Sequence, residues 1–250
     1  MNVKSVFIFC FFLIVNFPIV AQATTYINKA IGSYYIPGLV VSKKEGLFVK
    51  LHHEIIHRSQ LSLDFIIEPT QRIQHSFKHN QLIGYFPELW QNIPKDKSEI
   101  IVSDSIWLKS IIVFTIKNKQ PITQLSDLEG LTIGAVRGYS YGQIEKNKNI
   151  TIQYVNNDLQ NIKKLLTGRI DAIIGDSSST VFAIKNSNYA KEIAYNLQQP
   201  IDILEAFYIF QNTTKGHEIR NKINIAIKSL KQDGIIKLNA KTGESEIFLP

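Results

Sequence analysis

Two stretches in the second half of the chain decide the fold: Leu131-Thr-Ile-Gly-Ala-Val-Arg-Gly-Tyr-Ser-Tyr-Gly142 and Gly168-Arg-Ile-Asp-Ala-Ile-Ile-Gly-Asp-Ser-Ser-Ser179. Each is an apolar strand that ends in a small, polar turn before a helix, which in the first stretch starts at about Tyr141. Successive units of this kind predict parallel strands whose polar tips meet at the ligand-binding edge of a sheet. One tip offers a hydroxyl and N–H groups to an anion, and the other offers the Asp176 carboxylate to a cation. The pair indicates half of a site for a small zwitterion.

Strands and helices alternate along the rest of the chain. Apolar runs predict strands at 63–67, 82–86, 100–102, 111–116, 131–136, 151–155, 170–174, 193–195 and 206–210, and helical spacing predicts helices at 46–59, 71–78, 158–166, 178–185 and 217–232. This order predicts a mostly parallel α/β sheet that is covered on both faces. In the first helix, Phe48, Leu51 and Ile55 should face inward. From Asn239 the tail has little periodicity, and we expect it to be loosely held.

The amino terminus has the features of a secretory signal peptide. A short basic start is followed by an apolar run at 6–20 and by Ala21-Gln22-Ala23, a small-x-small cleavage pattern. The run is short for a membrane anchor, which needs about 20 residues. We therefore expect a signal peptide at 1–23, a mature protein that starts at Thr24, and a periplasmic location.

Composition excludes several classes of function. The chain has 250 residues, of which 44% are hydrophobic, and a formal net charge of +7, but its Lys and Arg residues form no block of the kind that nucleic-acid binding requires. The single cysteine, Cys10, lies inside the predicted signal peptide, so the mature chain has neither a disulfide nor thiol chemistry. We expect a monomer with no cofactor that binds no nucleic acid.

Five motifs, in this order, resemble the family 3 extracytoplasmic solute-binding proteins, which are the amino-acid receptors of ABC importers. The motifs are Gly46-Leu-Phe48; Val102-Ser-Asp104 with Trp107; 125–138; Gly168 to Asp176; and Leu230-Lys-Gln-Asp-Gly234. The resemblance implies a two-lobed type II binding fold, in which two mostly parallel sheets are flanked by helices and joined by two crossing strands. The expected lobes are 24–116 with 206–250, and 117–205. They would close on a ligand about a hinge.

The resemblance also implies roles for individual residues. Ser140 matches the hydroxyl that holds the ligand carboxylate, and Asp176 matches the carboxylate that holds the ammonium. Tyr34 or Tyr35 matches the aromatic residue that covers the ligand side chain. The arginine that grips the α-carboxylate in amino-acid receptors falls on Asp96, between Lys95 and Lys97.

The departure at Asp96 matters because an Arg–carboxylate pair is a bidentate bond of high specificity. Glu88 and Trp90 are expected to face the cleft instead, with four further aromatic residues as possible lining: Tyr85, Trp107, Tyr139 and Tyr141. An acidic and aromatic cleft suits an amine or a cationic or aromatic solute. The hypothesis from the sequence is thus a receptor whose ligand is not a standard amino acid.

Three alternatives stay open at this point. His53-Glu-Ile-Ile-His57 matches the H-E-x-x-H zinc motif, but the predicted inward stripe of its helix turns both histidines to solvent, and no third ligand is evident, so we expect no metal. An enzyme of the same fold, such as a cyclohexadienyl dehydratase, would use Glu88, Asp96 or Asp176 as its acid or base. The receptor could also serve a membrane sensor kinase instead of an ABC permease.

Overall fold

The computed structural model describes residues 29–93, 98–119 and 122–249. The predicted signal peptide lies outside these ranges. The described strands are β1 Ala30–Ser33, β2 Asp64–Ile67, β3 Gly84–Leu89, β4 Ile100–Val102, β5 Trp107–Ile116, β6 Thr132–Val136, β7 Thr151–Val155, β8 Ala172–Asp176, β9 Ile193–Ala194, β10 Asp202–Gln211, β11 Ile236–Asn239 and β12 Glu244–Ile247. The described α-helices are α1 Leu47–Ser59, α2 Thr70–Lys78, α3 Asp158–Leu166, α4 Ser179–Lys185 and α5 Thr214–Gln232. None of these helices is long and apolar enough to cross a membrane.

The main sheet has parallel ends and an antiparallel centre. Its strand order is β2-β1-β3-β10-β5-β8-β6-β7, with β4 beside β10 and β9 beside β5. The pairs β1–β2, β1–β3, β6–β7 and β6–β8 are parallel, whereas β5 and β10 are antiparallel to their neighbours. We call the β1–β4 end, with α1, α2 and α5, the first lobe, and the β6–β9 end, with α3 and α4, the second. The predicted two-lobed α/β class is confirmed.

Two ten-residue strands connect the lobes. β5 pairs with β10 over its first five residues, Trp107 to Ile111, and then with β8 over Ile111 to Phe114. β10 pairs with β5 over Asp202 to Ala206, and its second half then pairs with β3 and β4. Each strand therefore begins beside one partner and ends beside another, so hydrogen bonding is continuous from lobe to lobe. These are the two crossing strands that the resemblance implies.

Helical spacing correctly predicts the buried faces of the first lobe. α1 buries Phe48, Leu51 and Ile55, and α5 buries Ile219, Ile223, Ala226, Ile227 and Leu230, all in one apolar core. Each large aliphatic side chain that leaves water in this way contributes about 1.5–3 kcal/mol. The first-lobe core holds the strand ends on which candidate site residues lie.

The helix expected from about Tyr141 is wrong. The chain forms only a 3-10 turn at Ile144–Lys146. Tyr141 is fully buried, and its hydroxyl accepts a hydrogen bond from Val136 N (2.8 Å) and donates to Val136 O (3.3 Å). Gly142 has a φ of +63°, which a helix does not allow. The aromatic ring thus anchors the turn to the strand before it.

The expectation of a loosely held tail is also wrong. β11 and β12 form a hairpin that packs beside β5. The Ser245 hydroxyl accepts a hydrogen bond from Leu108 N (2.7 Å) and donates to Leu108 O (3.2 Å), while Ser110 Oγ donates to Thr242 O (2.8 Å). β8 pairs with β5 only from Ile111 onward. The hairpin therefore satisfies backbone groups of β5 that β8 does not reach.

Candidate functional site

The candidate site lies at the carboxyl ends of β6 and β8. These strands are parallel neighbours, with Ile133 opposite Ala172 and Gly134 opposite Ile173. The turn that follows β6, at 137–140, and Asp176 at the end of β8 therefore open on the same edge of the sheet. The sequence predicts this placement of the two polar turns.

Two cavities are relevant to the site. The larger of the two, of about 410 Å³, lies between the lobes. Asn92, which follows β3, represents the first lobe, and the second lobe contributes Arg137, Gly138, Tyr139, Ser140, Glu145 and Tyr154. Glu145 is held in place because its carboxylate accepts hydrogen bonds from Tyr141 N (3.0 Å) and the Tyr154 hydroxyl (3.1 Å). Gly138 has a φ of +85° with open space around it, so the turn needs glycine for its conformation. Of the residues that the sequence assigned to the site, Tyr139 and Ser140 line this cavity.

The smaller cavity, of about 280 Å³, is built from β5, the turn after β8 and the carboxyl-terminal hairpin. Its lining residues are Trp107, Leu108, Lys109, Asp176, Ser177, Ser178, Gly243, Glu244, Ser245 and Glu246. Sequence reasoning assigned Trp107 and Asp176 to the site but missed Lys109 and the hairpin.

Asp176 has a structural role as well as an open side. Its Oδ1 accepts hydrogen bonds from Ser178 N (2.7 Å), Ser179 N (3.1 Å) and the Ser178 hydroxyl. These bonds fix the turn that begins α4. Within the described ranges, Oδ2 has no hydrogen-bond partner. The carboxylate is thus oriented by one oxygen while the other remains available to a cation.

Lys109 is the residue that sequence reasoning missed. It is half-buried on β5, and its Nζ donates to Ser140 O at 3.2 Å. The ammonium lies 5.1 Å from the centre of the Tyr139 ring and 5.7 Å from that of Tyr141. Burial lowers the pKa of Lys109, while the carboxylates of Asp176 and Glu145 act in the opposite direction. The signal in the sequence is a single lysine within an otherwise uncharged crossing strand.

The expectation that Glu88 faces the cleft is wrong. The residue is 3% exposed, and its carboxylate accepts hydrogen bonds from the Tyr85 hydroxyl (2.7 Å), Leu89 N (2.9 Å) and Asn92 Nδ2 (3.0 Å). Tyr85 is also buried, and burial followed by the charge of Glu88 raises the pKa of its hydroxyl. Glu88 is a support inside the first lobe that orients Asn92 toward the larger cavity.

The other aromatic candidates have varied surroundings. The Tyr34 hydroxyl donates to Pro87 O at 2.6 Å, so it braces the first lobe, whereas Tyr35 is 63% exposed. Trp90 is 47% exposed and packs edge-on against Phe207, and Trp107 packs edge-on against Phe48. The fully buried Tyr141 does not line the cleft. Asp96, with Lys95 and Lys97, lies outside the described residues.

The histidines of the H-E-x-x-H motif are exposed, as the periodicity of α1 predicts. His53 Nε2 lies 2.9 Å from Lys43 O. A second pair of histidines with the same four-residue spacing, His75 and His79 on and just after α2, stacks its rings at 4.0 Å. In the part of the chain that the structure describes, no group of three or more His, Cys, Asp or Glu residues is arranged to hold a metal ion.

No protein-family model matches the chain. One curated relative, the "Probable amino-acid-binding protein YxeM" of Bacillus subtilis (strain 168), is 25% identical over 125 residues. The alignment covers 48% of this chain and 46% of the relative. The chain thus matches about half the length of that protein.

Solved structures with the same fold cover most of the chain. The GluR0 ligand-binding core from Nostoc punctiforme in complex with L-glutamate has a TM-score of 0.58 and 17% identity over 82% of this chain and 93% of its own. A histidine kinase sensor domain with similarity to periplasmic binding proteins has a TM-score of 0.58 and 14% identity over 84% of this chain and 93% of its own. The ancestral protein AncCDT-1, a precursor of cyclohexadienyl dehydratase, has a TM-score of 0.55 and 17% identity over 83% of this chain and 90% of its own. The chain has the two-lobed fold of periplasmic binding proteins, and its neighbours in fold are mainly binding proteins.

Proposed function

We propose that this chain is an extracytoplasmic receptor that traps a small zwitterionic solute of the amino-acid class between its two lobes. The observation that carries the proposal is the larger cavity, where Asn92 of the first lobe meets the Arg137–Ser140 turn of the second. A cleft that two crossing strands span is suited to closure about a hinge. The lobes proposed to move are 24–116 with 206–250, and 117–205.

The charges around the cavities favour a zwitterion over the amine, cationic or aromatic solute that an acidic and aromatic cleft would suit. That expectation placed both Glu88 and Asp96 at the cleft, and Glu88 is instead buried and hydrogen-bonded within the first lobe. The cavity walls instead carry both signs, with Arg137 and Lys109 as cations and Glu145, Asp176, Glu244 and Glu246 as anions. A solute with an ammonium and a carboxylate has a complementary partner for each charge. Tyr139, Ser140 and Asp176 are the proposed contacts of the second lobe.

The proposed location is the periplasm, reached through a signal peptide at 1–23 that is cleaved before Thr24. We propose that the receptor delivers its solute to an ABC permease. A membrane sensor is the second candidate partner, and the likeness in fold to a histidine kinase sensor domain supports it. Genes beside this one that encode a permease or a sensor kinase would separate the two.

A binding role is favoured over an enzymatic one by the state of the carboxylates. A general acid or base must reach the proton that it transfers. Glu88 is enclosed by three hydrogen bonds and does not meet this condition, whereas Asp176, held by the α4 turn through Oδ1, keeps only Oδ2 open. A dehydratase is excluded directly if purified protein leaves a cyclohexadienyl acid unchanged under conditions in which a known dehydratase converts it.

Calorimetric titration of the 24–250 chain tests the proposal. The panel contains the twenty amino acids and a set of polyamines. Saturable one-site binding of at least one amino acid supports a zwitterion receptor. Binding of polyamines alone would restore the cationic-solute hypothesis and contradict the proposal.

A further inference from the structure

Lys109 occupies an unusual position for a charged residue. β5 runs through the middle of the sheet, and seven of its ten residues are buried. Lysines are almost never enclosed in this way without a partner. Its neighbours on the strand follow the apolar pattern of a crossing strand, so packing alone does not account for a lysine here.

The ammonium of Lys109 has unused hydrogen-bonding capacity. An ammonium has three donors, and among the described residues the only acceptor bonded to it is Ser140 O, at 3.2 Å. No carboxylate in the described ranges lies within ion-pair distance of Nζ; the ion pairs found there involve other residues. The rings of Tyr139 and Tyr141 lie within cation–π distance of Nζ and help to hold the charge in position. Two donors therefore remain for a ligand.

The strand register places Lys109 and Asp176 on the same face of the sheet. Ile111 lies directly opposite Asp176 in the antiparallel β5–β8 pair, and directly opposed residues share a face, as do alternate residues of one strand. Lys109 is thus the diagonal neighbour of Asp176, at a typical separation of about 7–8 Å. Both residues line the smaller cavity. A cation and an anion at this spacing, neither paired with the other, leave room for a molecule between them.

We propose that Lys109 is the specificity-determining cation of the cleft, which binds the carboxylate of the solute while Asp176 binds its ammonium. This inference rests on the proposed function and names the side chain that supplies the carboxylate contact. It places that contact on a crossing strand, so the bound anion would touch the connection between the lobes.

The test compares ligands with and without a carboxylate. The tightest-binding amino acid of the panel and its carboxamide are titrated into wild-type protein and into Lys109→Met, Lys109→Arg and Lys117→Met. Methionine keeps an unbranched side chain of similar length without the charge, and arginine restores the charge. Lys117→Met is the control, because Lys117 is an exposed lysine just beyond β5. A charge-assisted hydrogen bond corresponds to about a 10- to 100-fold difference in affinity.

We expect Lys109→Met to reduce the preference for the amino acid over its carboxamide by about 10- to 100-fold, Lys109→Arg to recover much of it, and Lys117→Met to leave it unchanged. If Lys109 has only a structural role, such as the bond to Ser140 O, Lys109→Met will lower the affinities for the amino acid and its carboxamide equally and leave their ratio unchanged. That result would overturn this inference but not the proposed function. If wild-type protein binds no amino acid, the proposed function fails, and this inference fails with it.

Discussion

In the first lobe, the carboxylate of Glu88 is enclosed by Tyr85, Leu89 and Asn92, whereas in the second lobe Asp176 faces a cavity with one oxygen unoccupied by any described residue. The tyrosines differ in the same way. Tyr34 donates its hydroxyl to the backbone of its own lobe, and Tyr139 is 42% exposed on the cavity wall beneath Lys109. A carboxylate or a tyrosine at a strand end can therefore be either a support or a contact, and its hydrogen bonds decide which.

This difference indicates an asymmetric cleft. The second lobe and β5 carry the charges that recognise the solute, and the first lobe offers a rigid wall through Asn92, which Glu88 holds in place. Substitutions in the second lobe should therefore change affinity, and those in the first should change stability.

The largest expected effect is on affinity, from Asp176→Asn. The amide keeps an oxygen for the bonds to Ser178 and Ser179 but loses the charge that faces the ligand ammonium, so affinity for an amino acid should fall by about 10- to 100-fold. Calorimetric titration measures it, and Asp64→Asn, at an exposed position on β2, is the matched control. Unchanged affinity in Asp176→Asn would show that the ammonium does not bind here.

Glu88→Gln should instead lower the free energy of unfolding. The amide is uncharged, so the bonds from Leu89 N and Asn92 to its oxygen lose their charge assistance, and the Tyr85 hydroxyl has to rotate to accept from the new NH₂ group. This weakening should cost about 1–3 kcal/mol. Urea denaturation followed by circular dichroism measures this change. A large loss of affinity with unchanged stability would show that Glu88 contacts the ligand and is not a structural support.

The first lobe should also be the acid-sensitive one. His52 is buried in its core, shares a hydrogen bond with the Tyr208 hydroxyl (3.1 Å) and stacks on Phe86. Burial, followed by the nearby His53, lowers its pKa from 6.5 to about 3. Between these values only the unfolded chain is protonated at His52. Stability is thus complete above pH 6.5 and should fall by up to about 1.4 kcal/mol for each pH unit below it.

Denaturation between pH 4.5 and 7.5 measures the contribution of His52. His52→Phe keeps the aromatic packing and should flatten the pH dependence, whereas the exposed His57→Gln should not. An equal slope in His52→Phe and wild type would assign the acid sensitivity to other groups.

The smallest effects come from a matched pair of tyrosines. Tyr34→Phe removes the bond to Pro87 O and should cost about 1 kcal/mol of stability with affinity unchanged. Tyr139→Ala removes a ring beside the Lys109 ammonium and should weaken amino-acid binding about threefold with stability unchanged. Thermal unfolding and titration of both variants complete the comparison, and the same response from both would remove the distinction between the lobes.

Most helices and strands could be predicted from the sequence because periodicity reports burial. The stripe of α1 follows from apolar spacing, whereas the two crossing strands were implied by the resemblance to the family 3 receptors. Periodicity does not report which partner satisfies a polar group, so Glu88 was assigned to the cleft although Tyr85 and Asn92 enclose it. It also gave no sign that Tyr141 would turn inward, nor that Ser245 would bond to β5. Lys109 was visible as a charge in an apolar strand, but only the strand register relates it to Asp176.

A crystal structure of the 24–250 chain with its tightest-binding amino acid would show directly which groups hold the solute. We expect the ligand ammonium to lie about 2.7–3.2 Å from Asp176 Oδ2 and the ligand carboxylate at a similar distance from Lys109 Nζ, with Glu88 still bonded to Tyr85 and Asn92. A ligand held by Glu88, or one whose carboxylate has no contact with Lys109, would contradict this expectation.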